Sequence, residues 1–364
     1  LRYNPPVQSS QDLTRPSIRS AAELQTYLHK KGLSWETAHL PAQALFEHGF
    51  PLRIPEFYAE LIDWQDPTDP LRLMVIPDIR EAEVRPYELT DPIGDHAREV
   101  VPGLIHRYPD RCLLLLTSYC LVHCRFCFRR EVVGKVRPVQ FQHIQEYLAQ
   151  HPEVRELIFS GGDPFTFPVG FVQSLTQHLT QLTHVTTWRF HSRVPAIDPA
   201  AVSDEWIGQL QELHTQWKKR VIIVIHINHP REVTTQFKHL VEKLIAAGCL
   251  LLSQTVLLKG VNTDHKTLAD LFRSLVLLGV KPYYLHHLDQ VVGSHHFRIS
   301  IEEGKTLFHS LRGNVSGVCM PEYVLDLPGG DGKVPVMWMH SDDHKEYQVT
   351  TFEGKKVTYV DQAE

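Results

Sequence analysis

Cys120, Cys124 and Cys127 stand within eight residues, spaced C-x3-C-x2-C, directly after the apolar run Leu113–Leu116. Three thiolates on one tight loop cannot complete an all-cysteine zinc site without a distant fourth ligand. They can bind three irons of a 4Fe–4S cluster and leave the fourth iron open. Ferredoxin spacings tie every iron to protein for electron transfer, and this spacing differs from them. An open iron can be chelated by the amino and carboxylate groups of S-adenosylmethionine, which is what radical chemistry on that cofactor requires. The plain alternative is three buried cysteines at a strand end; such tight clustering argues against it.

Other residues could serve the same chemistry. Ser160-Gly161-Gly162-Asp163 follows a short apolar strand, and paired glycines let backbone N–H groups approach a ligand closely. Ser192, Arg193, His226 and Gln254 fall at the ends of later strands and are candidates for touching a cofactor. Histidine is abundant, at 23 residues, so a surface or hydrogen-bonded role is the ordinary one for any of them. His226 and His229 lack the i, i+4 helical spacing of a metal pair. Arg107 and Arg111 offer two guanidinium forks suited to a phosphate; a solvated charged turn would look the same. Leu327-Pro-Gly-Gly-Asp-Gly-Lys333 is not a phosphate-binding P-loop, because Leu327 and Val334 stand where Gly and Ser/Thr belong. What remains is a lysine on a flexible, Gly-rich loop, able to form a Schiff base with pyridoxal phosphate or merely solvated. Asp289 and Asp326 could jointly hold an ammonium group, and Arg129 a carboxylate. Spacing alone leaves their convergence open.

The elements that must position these residues follow a beat. Strands are expected at Leu113–Leu116, Glu156–Ser160, Thr186–His191, Arg220–His226, Leu250–Leu257 and Lys281–His286. Between them, helical patterns run over Ile144–Gln150, Phe171–Leu182, Asp204–Trp217, Thr235–Ala247 and Leu268–Leu278. Strands alternating with helices of this length indicate βαβ units and a parallel sheet. Six such strands predict an α/β fold with a partial, open (β/α)6 barrel, a doubly wound sheet being the competitor. In either, ligands gather at the C-terminal strand ends. Leu1–Arg19 reads as an extended arm, and Ala21–Leu28 and Pro55–Ile62 as helical; residues 71–100 give no clear pattern. The expected division is an arm and helical region over 1–100, the barrel over 101–300, and a C-terminal segment with Lys333 over 301–364.

A chain of 364 residues with 43% hydrophobic and 22% charged content is that of a globular protein. A net charge of −5 and a pI near 6.6 give no basic footprint, so nucleic acid is not an expected partner. No apolar run is long enough to span a bilayer. Six cysteines in a chain this long do not form a disulfide framework, and an oxidisable cluster points to the cytoplasm.

Taken in order, the motifs resemble the lysine 2,3-aminomutase family of radical S-adenosylmethionine enzymes. The likeness rests on Val101–Arg111, Cys120–Arg130, Phe159–Asp163, His226–Pro230, Val256–Asn262, Pro282–Tyr284 and Pro328–Pro335. It implies that Cys120, Cys124 and Cys127 hold the cluster and that Lys333 is the Schiff-base lysine for pyridoxal phosphate. It places Arg107, Tyr108 and Arg111 near the cofactor phosphate, Arg129 on the substrate carboxylate, and Asp289 and Asp326 on the ε-ammonium of lysine. The implied reaction starts when the reduced cluster cleaves S-adenosylmethionine, and nitrogen then migrates from C2 to C3 to give β-lysine. Its destination is free metabolism or modification of elongation factor P; the alternatives are an aminomutase acting on another amino acid such as arginine or ornithine, and a non-catalytic Fe–S redox module, against which the Gly-rich Lys333 stretch argues. An external electron donor such as flavodoxin or ferredoxin and a homo-oligomeric state are also implied. The family's C-terminal zinc cysteines are absent, since no cysteine follows Cys319, so zinc is not expected. Position 286, often aromatic in the family, is His here.

Overall fold

Alternation with period two builds the centre of the molecule. The computed structural model describes residues 15–135 and 139–362. Ten strands form one sheet: β1 (Glu99–Val101), β2 (Leu104–Tyr108), β3 (Arg111–Thr117), β4 (Glu156–Gly161), β5 (Thr187–Ser192), β6 (Arg220–His226), β7 (Leu250–Val256), β8 (Lys281–His286), β9 (Glu322–Leu327) and β10 (Gly332–Pro335). Their order in space is their order in sequence. Strands β3 to β9 are parallel, while β1, β2 and β10 run antiparallel to their neighbours.

A doubly wound sheet reverses its strand order at a switch point. This one never reverses, so the barrel reading holds. The two ends of the sheet meet through a side chain rather than a backbone ladder: the Lys333 N–H on the edge strand β10 donates to the Tyr108 hydroxyl at the end of β2, the neighbour of the opposite edge strand β1, at 2.9 Å. The result is an open, partial barrel. All six expected strands are present, and β9 adds a seventh parallel one. Its signal, Tyr323-Val-Leu325, is short and sits against the Gly-rich stretch that dominates the reading there.

Helices α2 (Phe141–Gln150), α3 (Val169–Leu179), α4 (Asp204–Thr215), α5 (Thr235–Ala246) and α6 (His265–Leu277) cross between the parallel strands from β3 to β8, and α7 (Ile301–Leu311) leads to β9; α1 (Ala21–Lys30) precedes the sheet. The starts of α4, α5 and α6 are set by side-chain caps: Ser203 accepts from the Trp206 N–H, Thr234 from Phe237 and Asp264 from Thr267. Their apolar stripes, such as Phe237, Val241 and Leu244, join Phe159, Trp188, Phe190, Ile223 and Leu251 of the strands in one core. Truncating the fully buried Phe237 to Ala would cost about 3–5 kcal/mol. Because successive side chains point to opposite faces, the other face of the sheet carries Ser160, His191, His226, Gln254, His286, Asp326 and Lys333. That inner face is where the chemistry-bearing residues gather.

The N-terminal layer has a second core. Leu24, Leu28, Tyr58, Trp64 and Met74 pack there with Val122 and Phe126 of the cysteine loop. The expected helix over Pro55–Ile62 is reduced to Glu56–Ala59, because Ile54–Pro55 pairs as a strand with Ser17–Ile18. Of the expected arm, residues 1–14 lie outside the described residues. At the other end, an antiparallel hairpin of Glu346–Thr350 and Lys356–Val360 follows the sheet. Its tip places Phe352 against Tyr108, with ring centroids 4.8 Å apart. Among the described residues no helix is long and apolar enough to cross a membrane.

Candidate active site

The cysteine loop leaves the end of β3 and is fixed from below and above. Below, the Arg125 guanidinium forks onto Glu81 at 2.8 and 2.6 Å, and Arg130 reaches the same carboxylate at 2.7 Å. Such buried pairing specifies position more than it adds stability. Above, Gly161 and Gly162 lie flat against the loop. A Cβ on Gly162 would come within 2.0 Å of the Tyr119 carbonyl oxygen, and one on Gly161 within 2.2 Å of that of Thr117. The Gly162 N–H donates to Thr117 and the Asp163 N–H to Tyr119. The sequence predicts that these amides face a ligand. They are engaged inside the protein instead, and the glycines serve the docking of two loops.

Asp163 and Ser192 also turn inward. The Asp163 carboxylate accepts from the Ser192 hydroxyl at 2.7 Å and from the N–H groups of Arg193, Val194 and Phe165. Burial still pushes its carboxyl up to about 6 against those donors. Ser192 sits on the helix-facing side of β5, so neither residue reaches the inner face directly. Arg193 does lie beside the loop. Its guanidinium is 3.0 Å from the Cys124 Sγ and 3.1 Å from Glu232. Glu232 is fully buried and accepts from Tyr58 and from the N–H groups of Asn228 and His229.

All three loop cysteines are free thiols. Burial raises each of them, Cys127 up to about 11, so a bound metal must displace their protons. Among the described residues no three His, Cys, Asp or Glu side chains converge on one ion; ligands of a multi-iron cluster each bind a different iron. Nearby, Tyr119 Oη, Arg193 Nε, His191 Nε2 and His226 Nε2 are buried without a protein partner. Buried polar atoms ordinarily have partners. This donor set therefore fits a cluster with a polar ligand such as S-adenosylmethionine. His226 lies edge-on to Phe126 with ring centroids 5.7 Å apart. Gln254 stands between His226 and Tyr284 in the sheet register.

A second group collects where the sheet edges meet. Lys333 is not on a flexible loop. Gly329, Gly330 and Gly332 adopt positive φ, which glycine permits, and turn the chain so that Lys333 stands opposite Asp326 in the β9/β10 register. Its Nζ is 2.8 Å from Asp326 Oδ1. Arg107 reaches within 3.9 Å of Asp326, and His286 within 3.7 Å. Arg111 lies over the Tyr108 ring at 3.9 Å and pairs with the adjacent Asp110.

The charges here are uneven. Burial alone would raise the Asp326 carboxyl, but Lys333 and His286 beside it hold it well below the carboxylate range. Burial, joined by repulsion from Asp326, raises Asp289. Burial would lower the Lys333 ammonium, and Asp326 more than offsets this. Burial pushes His191 and His286 down, with Lys333 adding to the effect, so both are neutral near pH 7.

Two predicted residues are joined by one the sequence reading passed over. Asp95 accepts from Arg107 Nη2 at 3.0 Å and from Arg129 Nε at 2.8 Å; Arg129 also reaches the Ser160 hydroxyl at 3.2 Å. Asp95 lies in Asp91-Pro-Ile-Gly-Asp95, whose only sequence signal is that of a turn. Glu81 and Glu232 were equally silent.

A family model described as a 4Fe-4S single cluster domain matches residues 110–193. The chain is 37% identical over 314 residues to a protein named L-lysine 2,3-aminomutase from Acetoanaerobium sticklandii, covering 85% of this chain and 75% of that one. It is 34% identical to the Clostridium subterminale protein of the same name, over 95% of this chain and 82% of the other. With the Escherichia coli protein of that name it shares 38% identity, over 79% of this chain and 83% of the other.

Proposed function

Because the chain belongs to the L-lysine 2,3-aminomutase family, we propose that it moves the α-amino group of L-lysine to C3 and releases β-lysine. The observation that carries this reading is the acidic pair beside Lys333: Asp326 lies 2.8 Å from its ammonium, and Asp289 stands near enough to Asp326 for that charge to raise its own carboxyl. Such a pair attracts a substrate side chain ending in an ammonium and repels one ending in a carboxylate.

The cofactors of this reading are a 4Fe–4S cluster, S-adenosylmethionine and pyridoxal 5′-phosphate. When bound, they supply a carbon radical and a conjugated system through which nitrogen passes between neighbouring carbons. The chain supplies placement. Cys120, Cys124 and Cys127 hold the cluster, with Arg193 beside Cys124. Lys333 holds the pyridoxal group, and Arg107, Tyr108 and Arg111 stand ready for its phosphate. Arg129 takes the substrate carboxylate, and Asp289 with Asp326 its ε-ammonium. Until then Lys333 keeps its proton on Nζ, against Asp326. The N-terminal layer packs on the cysteine loop through Val122 and Phe126 and covers that side of it. An external one-electron donor such as flavodoxin or ferredoxin, assembly with further copies of the chain, and a cytoplasmic location complete the reading.

The test is anaerobic incubation of reconstituted, reduced enzyme with S-adenosylmethionine, pyridoxal phosphate and each of lysine, arginine, ornithine and glutamate. β-Lysine from lysine alone is the expected result. An isomer from arginine or ornithine instead would reassign the substrate, and 5′-deoxyadenosine without any isomerised amino acid would overturn the reading.

A further inference from the structure

Asp95 is 8% exposed, and its two carboxylate oxygens serve different arginines. Oδ1 accepts from Arg107 at 3.0 Å, and Oδ2 accepts from Arg129 Nε at 2.8 Å and lies 2.8 Å from its Nη2. The arginines then diverge, Arg107 toward Asp326 on β9 and Arg129 toward Ser160 on β4. One carboxylate therefore spans the gap between the two sides of the open barrel. Its backbone is held in place twice over. The Asp95 and His96 N–H groups donate to the Asp91 carboxylate at 2.9 Å. Gly94, at φ 66°, lies so close to the turn before Lys333 that a Cβ there would come within 2.3 Å of the Gly330 nitrogen. Turning this carboxylate moves both guanidiniums together, because each oxygen is committed to one of them.

Building on the proposed function, we propose that Asp95 is a positioning residue that couples the pyridoxal phosphate site to the substrate carboxylate site through Arg107 and Arg129. Asp95 itself touches neither ligand. A ligand that draws on one arginine re-aims the shared carboxylate and so pre-sets the other. Coupling of this kind is reciprocal: each ligand tightens the other by the same factor. If Asp95 only neutralised two buried arginines, the sites would bind independently.

The experiment uses the full chain with its cluster reconstituted and kept unreduced, so that no turnover occurs. The affinity of pyridoxamine 5′-phosphate, which carries the same phosphate but has no aldehyde to condense with lysine, is read from calorimetric titration with and without saturating lysine, in wild type, Arg129→Lys, Asp95→Asn and Asp95→Glu. Wild type is expected to bind this analogue at least fivefold more tightly with lysine present. Arg129→Lys should weaken its binding at least threefold although it lies on the substrate side. Asp95→Asn should abolish the lysine effect while keeping its iron content, at a lowered melting temperature because two buried arginines lose their partner, and Asp95→Glu should restore at least part of the lysine effect. Should Asp95→Asn fail to fold, the Arg129→Lys cross-effect decides alone. Equal affinity for the analogue with and without lysine in wild type, or no effect of Arg129→Lys, overturns the inference. Wild type that takes up no pyridoxal phosphate overturns the functional reading itself.

Discussion

The Lys333 ammonium and the Asp326 carboxylate face each other across β9 and β10 at 2.8 Å. In the proposed reaction the lysine must give its nitrogen to a cofactor, and the aspartate must grip a substrate ammonium. Each residue thus occupies its neighbour until its own ligand arrives. Removing the internal ammonium should open Asp326 to an external one. Lys333→Met is expected to bind free lysine about tenfold more tightly than wild type when pyridoxal phosphate is left out, a gain of ~1.4 kcal/mol. Calorimetric titration checks this; equal or weaker binding would remove Asp326 from the ammonium site.

Asp326→Asn should raise the KM for lysine without loss of iron. It removes a charged hydrogen bond worth about 1.5–3 kcal/mol, which corresponds to roughly tenfold or more in affinity. Steady-state kinetics beside an iron assay tests it. Unchanged kcat/KM for lysine would sink the assignment.

Asp289 gives a pH dependence of definite sign. Burial and then Asp326 raise its carboxyl, so the folded chain keeps a proton that the unfolded chain has lost. This contribution to stability is complete at low pH and is lost as pH rises through the raised value. An ammonium placed between the aspartates favours the ionised form. Lysine affinity should therefore climb with pH over the same interval, with a proton released on binding. Calorimetry in buffers of different ionisation enthalpy reads the proton directly, and Asp289→Asn should abolish its release.

Glu81 anchors two arginines of the cysteine loop, Arg125 and Arg130, and is nearly buried. Glu81→Gln leaves their charges uncompensated, at a cost of about 3–5 kcal/mol for breaking a buried pair. A lower melting temperature and less iron retained after reconstitution are expected. Full iron content at unchanged stability would show that the loop holds itself.

Cys124→Ala should retain the fold and lose all cleavage of S-adenosylmethionine, because Cys124 is one of only three thiols on the loop. Production of 5′-deoxyadenosine by this variant would falsify the cluster assignment.

Much of this was legible in the chain because it is periodic or clustered. Arg220–His226 and Lys281–His286 announce themselves as strands, and Cys120, Cys124 and Cys127 share one loop. The Lys333 stretch was half legible. Its glycines signal turning, but whether they loosen a loop or tighten a hairpin depends on β9, whose own signal is weak. The paired glycines 161 and 162 mark a close approach without saying to what, and the partner is the protein's own backbone. Glu81 and Glu232 close local capping boxes and Asp95 sits in a turn, signals that mark a turn and not the charged groups distant in sequence that each of them reaches. Local pattern records neighbours along the chain, and these residues act across it.

The hydrogen bond from Lys333 to Tyr108 spans 225 positions, and that separation sets an order during synthesis. The loop cysteines, Glu81 and the strands beside them leave the ribosome long before β9 and β10 exist. A nascent or prematurely ended chain can present its thiols to iron, yet it has no lysine for pyridoxal phosphate and no second edge to complete the site. The residues proposed for the cluster are thus made before the lysine proposed for pyridoxal phosphate, so translation sets the order in which the two candidate sites can be completed.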